Sequence, residues 1–308
     1  MKHLFIINPA AGKYDHTAEF SNRIRELCEA RGLDFSIVCS KKPGDATTLT
    51  RTAAETGEEL RIYACGGDGT LNEVVCGAIG HSNVAVTHFP GGSGNDFIKI
   101  FDKPEAFKSL EQLLDADEAT FDVIRVGEDY SLNICSIGID ARIGTEIGKY
   151  KRLPLVSGKG AYNLSTVINL IKGIHHHYRV EVDGEEVEGR FTLICICNGR
   201  FYGGGYQPVP EADPADGQLE LLLVDKVSRL QVAGIIGKYK DGRYAEYPEL
   251  FHHFAAKRVA IHCDAEEVVN LDGEARYGKD VEIALADEKL RFFYPRGLKW
   301  RREKAANE

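Results

Sequence analysis

The chain has 308 residues, with 38 Lys and Arg against 47 Asp and Glu, a formal charge of −9. Hydrophobic residues at 43% and charged residues at 28% exclude wholesale disorder, and the acid excess argues against a general nucleic-acid binder, which needs a basic footprint. The longest uninterrupted apolar run, 193–197, has five residues, where a membrane-spanning helix needs about 20.

In chain order, residues 4–7 read as a strand and Thr17–Ala30 as a helix, with Phe20, Ile24, Leu27 and Cys28 at helical spacing. Residues 34–39 form a second strand, 45–55 a helix, 60–65 a third strand, 71–79 a helix, 84–88 a strand and 104–114 another helix. This alternation predicts parallel βαβ units in an open sheet. Beyond about residue 120 the texture changes, and 120–126, 130–137, 178–183, 191–197, 218–224, 259–263 and 280–286 read as strands. An Asp183-Gly184 hairpin signal sits among them. One inserted helix, about 160–173, completes the reading. The fold class is therefore an α/β N-terminal domain with an open, mostly parallel sheet, followed by a C-terminal antiparallel β-sandwich.

The N-terminus offers a strand instead of a secretory signal. Eight scattered cysteines with no CxxC pair favour buried, reduced thiols over disulfides or zinc, even though Cys195 and Cys197 share a strand face. A cytoplasmic protein is the expectation.

Three loops carry the chemistry. Gly66-Gly67-Asp68-Gly69-Thr70-Leu71-Asn72-Glu73 follows the third strand and opens a helix. Glycines let the backbone approach a polyphosphate, and the helix N-terminus aims amides and partial positive charge at it. Thr70 either caps the helix or offers its hydroxyl to a phosphate; a tight strand–helix turn is the plainer explanation. Pro90-Gly91-Gly92-Ser93-Gly94-Asn95-Asp96-Phe97 follows the next strand, and Asn8-Pro9-Ala10-Ala11-Gly12-Lys13 follows the first. Ligands of open parallel sheets bind beyond the carboxyl ends of the strands, so all three loops converge on one crevice. No GxxxxGK[ST] is present and no GxGxxG follows the first strand, which excludes a P-loop and a standard dinucleotide site.

In order and spacing these segments resemble the diacylglycerol kinase catalytic domain, shared with sphingosine kinases and most similar to soluble bacterial lipid kinases. The resemblance extends through 133–141, Gly203-Gly204-Gly205, 213–219 and Asn270-Leu271-Asp272-Gly273-Glu274, covering residues 4 to about 295. Ala11 and Ser93 stand where Ser and Thr are usual in the family, and Glu211 replaces a common Asn.

The resemblance implies ATP-dependent phosphorylation of a lipid hydroxyl, with diacylglycerol the leading substrate and magnesium the metal. It implies a nucleotide domain over 1–122, completed by 290–308, and a catalytic and lipid-binding β-sandwich over 123–289. Asn8, Pro9, Ala10, Ala11, Gly12, Ser40, Gly66, Gly67, Asp68, Gly69, Thr70, Leu71, Asn72, Ser93 and Asn95 map onto nucleotide contacts; Ser40 is also explicable as a strand-end hydroxyl. Asp68, Asp96 and Asp122 map onto an aspartate–water–magnesium network, Asp68 among the catalytic acids, while a strand-end role suits Asp122 as well. Asp213, Asp216 and Gln218 map onto a structural magnesium loop, with Asp216 giving its carboxylate and the other two their carbonyls; a Pro-Asp-Gly turn is the plainer account. Glu274 is read as the base for the lipid hydroxyl, with Asp272 supporting it.

Other readings stay open. An NAD kinase shares the Gly-Gly-Asp-Gly turn, although the order of the other motifs disfavours it. A nucleotide-binding regulatory module without catalysis is opposed by the complete acid set. His175-His176-His177 suggests metal only weakly. Lys149, Lys151, Arg152 and Lys159 flank apolar 153–156 and mark either a solvated loop or a patch touching anionic lipid, the expected peripheral contact with a membrane surface. Strand edges in the β domain make a homodimer plausible.

Overall fold

The computed structural model describes residues 1–12, 15–139, 141–143 and 175–300. The expected inserted helix at 160–173, the basic loop at 149–159, Lys13 and Asp140 lie outside the described residues. The chain forms two compact units, Met1–Val123 with Asp287–Glu308, and Ile124–Ala286.

The first unit is a six-stranded sheet in the order β2-β1-β3-β4-β15-β5. These are β1 (Lys2–Ile7), β2 (Phe35–Cys39), β3 (Leu60–Gly66), β4 (Val84–Pro90), β5 (Ala116–Phe121) and β15 (Leu290–Pro295). The first four and β15 run parallel, and β5 is antiparallel to β15. Helices α1 (Thr17–Ala30), α2 (Asp45–Ala54) and α3 (Asp68–Ala78) are the crossovers. Each turns a small or apolar face inward: α1 buries Ser21, Ile24 and Cys28, and α2 buries Ala46, Thr50 and Ala54. Gly77 of α3 is needed there, since a methyl on it would lie 2.5 Å from the Thr47 carbonyl oxygen. Because β1, β3 and β4 are buried along their lengths, they read as near-continuous apolar runs.

The single helix expected at 104–114 is two pieces. A 3₁₀ turn, Pro104–Lys108, stops at Ser109, whose hydroxyl accepts the Gln112 amide (3.3 Å) and starts α4 (Leu110–Leu114). The strand expected at 120–126 is also divided. Its first part belongs to β5, and β6 (Ile124–Val126) joins the other sheet, with buried Asp122 and Val123 between.

The second unit is a nine-stranded antiparallel sheet system. Its strands are β6, β7 (Asp129–Ser131), β8 (Ile134–Gly138), β9 (His176–Val182), β10 (Glu185–Cys197), β11 (Leu219–Asp225), β12 (Phe251–Ala256), β13 (Arg258–Leu271) and β14 (Glu274–Leu285). Bulges divide the two longest strands, at Phe191/Leu193 in β10 and at His262/Glu267 in β13. On one side of its bulge each strand pairs with β9, on the other with β8. A bulge lets one strand bend and change partners, which curls the sheet around its core. That core includes Ile137, Tyr178, Val180, Ile194, Ile196, Leu221, Ile261 and Ile283. A second apolar group gathers about Val209, Leu222, Tyr239 and Phe251. It is served by α5 (Arg229–Lys240), which the sequence reading left out. The described cysteines are all free, and most are buried.

Two buried histidines give the first unit a pH signature. His3 bonds the Tyr63 hydroxyl (2.8 Å), and burial lowers it to about 4. His88 is fully buried, which also pulls it down. Both therefore take protons more readily in the unfolded chain. Their stabilisation is complete above pH 6.5 and is lost as pH falls toward 4, roughly 3 kcal/mol for His3 alone. Urea unfolding at pH 7.5, 5.5 and 4.5 is expected to show this decline, and His3→Gln should flatten it; identical pH slopes would refute the assignment.

Candidate functional site

Parallel registry places the ends of β1, β3 and β4 side by side, with Ile7 opposite Cys65 and Gly66 opposite Pro90. The loops that follow touch backbone to backbone. The Gly66 carbonyl accepts both the Gly91 amide (2.7 Å) and His88 Nε2–H (2.9 Å), which fixes the His88 tautomer. A methyl on Gly92 would lie 2.5 Å from Gly67 Cα, and one on Gly12, whose φ is +84°, would lie 2.6 Å from the Gly91 carbonyl oxygen. These glycines are needed because the loops pack without side chains between them.

The polar residues of the loops shape them. Asn8 donates through Nδ2 to Thr70 Oγ1 (2.9 Å) and accepts the Ala10 amide at Oδ1 (3.0 Å). Asp68 accepts the Asn95 amide (2.7 Å) and the Asp96 amide (2.5 Å), one on each carboxylate oxygen. Asn95 adopts φ 49°, donating to the Gly92 carbonyl (2.8 Å) and accepting the Gly92 amide (3.2 Å). Its side chain thus forms the loop. Glu73 closes the motif differently from a ligand residue, because it accepts the Gly44 and Ala46 amides (2.9 and 3.0 Å) and caps α2.

What remains open is the start of α3. Its N-cap is Gly67, with no side-chain cap, so first-turn amides have no side-chain acceptor at the cap. Gly69 is exposed, and a methyl on it would meet nothing within 4 Å. No protein contact explains a glycine there, whereas close approach of a phosphate does. The strand ends and their loops also line a small cleft, whose residues include Asn8, Ala11, Phe20, Gly66 and Gly91. Ser93, Ala10 and Gly12 are exposed, Pro9 and Ala11 half-buried, and Ser40 half-buried with its amide on the Ile7 carbonyl (2.9 Å). Leu71 is in the core and offers only backbone; Asn72 is buried, with Oδ1 unpartnered among the described residues.

The carboxylates expected to serve magnesium have other partners. Asp96 is paired with Lys99 (2.5 Å), and fully buried Asp122 is paired with Lys289. Among the described residues no three His, Cys, Asp or Glu side chains form a metal-holding cluster. Such a donor set suits a largely hydrated magnesium that keeps its waters and phosphate ligands, and it does not suit a cage of protein carboxylates. In the second unit, the Asp213–Gln218 turn is closed by its own bonds. Asp213 Oδ1 accepts the Ala215 amide (3.1 Å), and Asp216 Oδ1 accepts the Gln218 amide (3.0 Å).

Asp272 and Gly273 form the tight turn between β13 and β14, with φ of 50° and 100°. The Asp272 carboxylate accepts three amides, from Leu132 (2.8 Å), Asn133 (3.0 Å) and Ile134 (2.8 Å). Burial raises it to about 6 against the opposing pull of those bonds. It is a clamp between the hairpin and the start of β8. Glu274, two residues on, is exposed, and its carboxylate has no partner among the described residues. Sequence reasoning missed His88, Lys99 and Lys289: an apolar strand conceals the first, and long-range pairing leaves no local signal for Lys289.

The comparisons agree with this architecture. Residues 2–126 match the diacylglycerol kinase catalytic domain, and residues 133–293 match the YegS C-terminal NAD kinase beta sandwich-like domain. The chain belongs to the diacylglycerol kinase catalytic domain family, in the form that carries the YegS-type C-terminal domain. A candidate lipid kinase of Staphylococcus aureus strain MRSA252 is 28% identical over 270 residues, 86% of this chain and 87% of that one. One from strain JH9 is 28% identical over 224 residues, 72% and 73% of the two chains. A crystal structure of a candidate diacylglycerol kinase from Bacillus anthracis shares the fold with a TM-score of 0.76 at 24% identity, covering 97% of this chain and 98% of that one. Lipid kinase is thus the family's class, and kinase membership implies ATP.

Two glycines separate packing from binding. Gly92→Ala is expected to destabilise the first unit by about 1–3 kcal/mol, because the loop has no room. Gly69→Ala should leave the melting temperature unchanged or higher, yet weaken Mg–ATP binding roughly tenfold. Thermal unfolding and calorimetric titration of both variants test the contrast; a Gly69→Ala chain that binds ATP as the wild type does would remove the phosphate from this turn.

Proposed function

We propose that the protein transfers the γ-phosphate of ATP to a lipid hydroxyl, diacylglycerol giving phosphatidic acid, on the cytoplasmic face of a membrane. The observation that carries this reading is the uncapped start of α3, with Gly69 open beside two interlocked glycine loops. Amides there would bind phosphate oxygens, Asp68 would hold the second loop in register, and Ser93 would add a hydroxyl. Magnesium, when bound with the nucleotide, would supply charge compensation at the phosphates. Asp68 and Asp96 would hold it through water, and the Asp213–Gln218 turn is our candidate for a second, structural ion. Asp122, held by Lys289, would support the network from within the core.

The lipid oxygen attacks the γ-phosphorus, a new O–P bond forms, and the bond to the bridging oxygen breaks, releasing ADP. An alcohol is far too weak an acid to ionise alone at neutral pH, so a base takes its proton as attack proceeds. Glu274 is the carboxylate free to do so, whereas Asp272 is committed to three amides and fixes the turn on which Glu274 stands. The NAD kinase-like description of the C-terminal fold favours one second reading, transfer to the hydroxyl of a dinucleotide.

Glu274→Gln is expected to lower kcat by about 10²–10⁴ with the KM for ATP nearly unchanged. Asp272→Asn should lower stability by about 1–3 kcal/mol, because a side-chain nitrogen cannot accept the backbone amide that a carboxylate oxygen holds. Steady-state kinetics on diacylglycerol in mixed micelles, paired with urea unfolding, checks both. Full turnover in Glu274→Gln would sink the assignment of the base.

A further inference from the structure

Strand β4 buries a histidine that packing alone does not ask for. His88 is fully buried and pairs across the sheet with Ala64 of β3. Its Nε2–H donates to the Gly66 carbonyl (2.9 Å), while Nδ1 has no partner among the described residues. Burial disfavours the protonated ring, against the pull of Asp68. An imidazole buried with one nitrogen unpaired costs stability, and a leucine would fill the place without that cost. The Gly66 carbonyl would not be orphaned by the change, because the Gly91 amide (2.7 Å) also reaches it. Stability gives no reason for a histidine here, whereas the orientation of one peptide group does.

That group is the peptide between Gly66 and Gly67. A peptide flanked by two glycines meets little steric resistance to turning over. Gly66 admits no stiffer residue, since a methyl on it would lie 2.4 Å from Thr70 Oγ1. The peptide is trans, so its carbonyl and its amide point in opposite directions. With the carbonyl held toward β4, the Gly67 amide faces away from that strand, and it has no acceptor among the described residues. It adjoins the first-turn amides of α3, whose N-cap is Gly67 itself. Were the peptide to turn over, a carbonyl oxygen would stand where those amides meet an anion. Two donors oppose that turn. Gly91 belongs to a stretch with three glycines in four residues, 91–94, whereas His88 stands inside a strand and is the donor fixed by regular structure.

We propose that His88 is a positioning residue of the phosphate turn: it locks the peptide between Gly66 and Gly67 so that the Gly67 amide donates to a phosphate oxygen of the nucleotide. His88 touches no substrate and acts through the peptide that it holds. The inference rests on the reading of this turn as the ATP phosphate site, and adds to it a residue outside the glycine and acidic motifs. The histidine exchanges some stability for a preorganised donor.

Three full-length chains separate this role from packing: wild type, His88→Leu, which keeps the bulk and removes the donor, and His88→Gln, whose side-chain amide reaches for the same carbonyl. In thermal unfolding, His88→Leu should melt at or above the wild-type temperature. Calorimetric titration with Mg–ATP should show about tenfold weaker binding to His88→Leu, and His88→Gln should recover most of it. With diacylglycerol dispersed in detergent, the KM for ATP should rise about tenfold in His88→Leu while kcat stays within about threefold of wild type. Equal ATP affinity in wild type and His88→Leu would overturn the proposal. So would a loss that a folded His88→Gln chain does not recover, or one that follows a lowered melting temperature, which would make His88 part of the packing. Those outcomes leave the kinase reading standing. If His88→Leu loses affinity and His88→Gln regains it, yet the wild type labels no lipid, the acceptor reading fails and the positioning role stands. A wild-type chain that binds no Mg–ATP ends both.

Discussion

The first unit is organised around a single backbone oxygen. The Gly66 carbonyl accepts a hydrogen bond from the Gly91 amide and another from the buried ring of His88. Those two bonds bring the end of β3 against the loop after β4, and Gly92 is a glycine because a side chain there would collide with Gly67. Asp68 completes the joint by accepting the Asn95 and Asp96 amides. A carboxylate between amides is stronger than a neutral acceptor in that place. The whole arrangement is preorganised, so a phosphate entering it would meet amides already in position instead of ordering a loop.

The second unit solves a similar problem with one aspartate. A two-residue turn of type I′ requires positive φ at both central positions, which Asp272 and Gly273 supply. Asp272 then uses its carboxylate on three amides before β8, and its own amide bonds the Ile134 carbonyl (3.1 Å). The neighbouring Glu274 begins β14 on a turn that is held from beneath. Two carboxylates two residues apart therefore have separate duties, one inward and structural, the other outward and chemically available.

Much of this was legible before any coordinates. The alternation of apolar runs and helical spacing gave the parallel sheet, since β1, β3 and β4 are buried on both faces and have no other way to read. The glycine loops were legible because their spacing after strand ends has a physical cause. The breaks were not. Ser109 ends a helix whose apolar spacing continues past it, and β15 joins the first sheet from the far end of the chain, a pairing that only the family resemblance implied and no local pattern announces. The bulges in β10 and β13 are equally silent, because a strand's sequence alternates whether or not its partner changes. The lysine partners of Asp96 and Asp122, Lys99 and Lys289, were equally silent in the sequence. Helix α5 was missed because its outer face is as apolar as its inner one, so no amphipathic period marks it.

The central claim is that these loops bind ATP for transfer to a lipid alcohol. It is tested most directly by incubating the wild-type chain with magnesium and γ-labelled ATP against diacylglycerol, a long-chain base and NAD, and identifying the labelled product. The account predicts label in phosphatidic acid. Label in the dinucleotide alone, or in no acceptor, would contradict it.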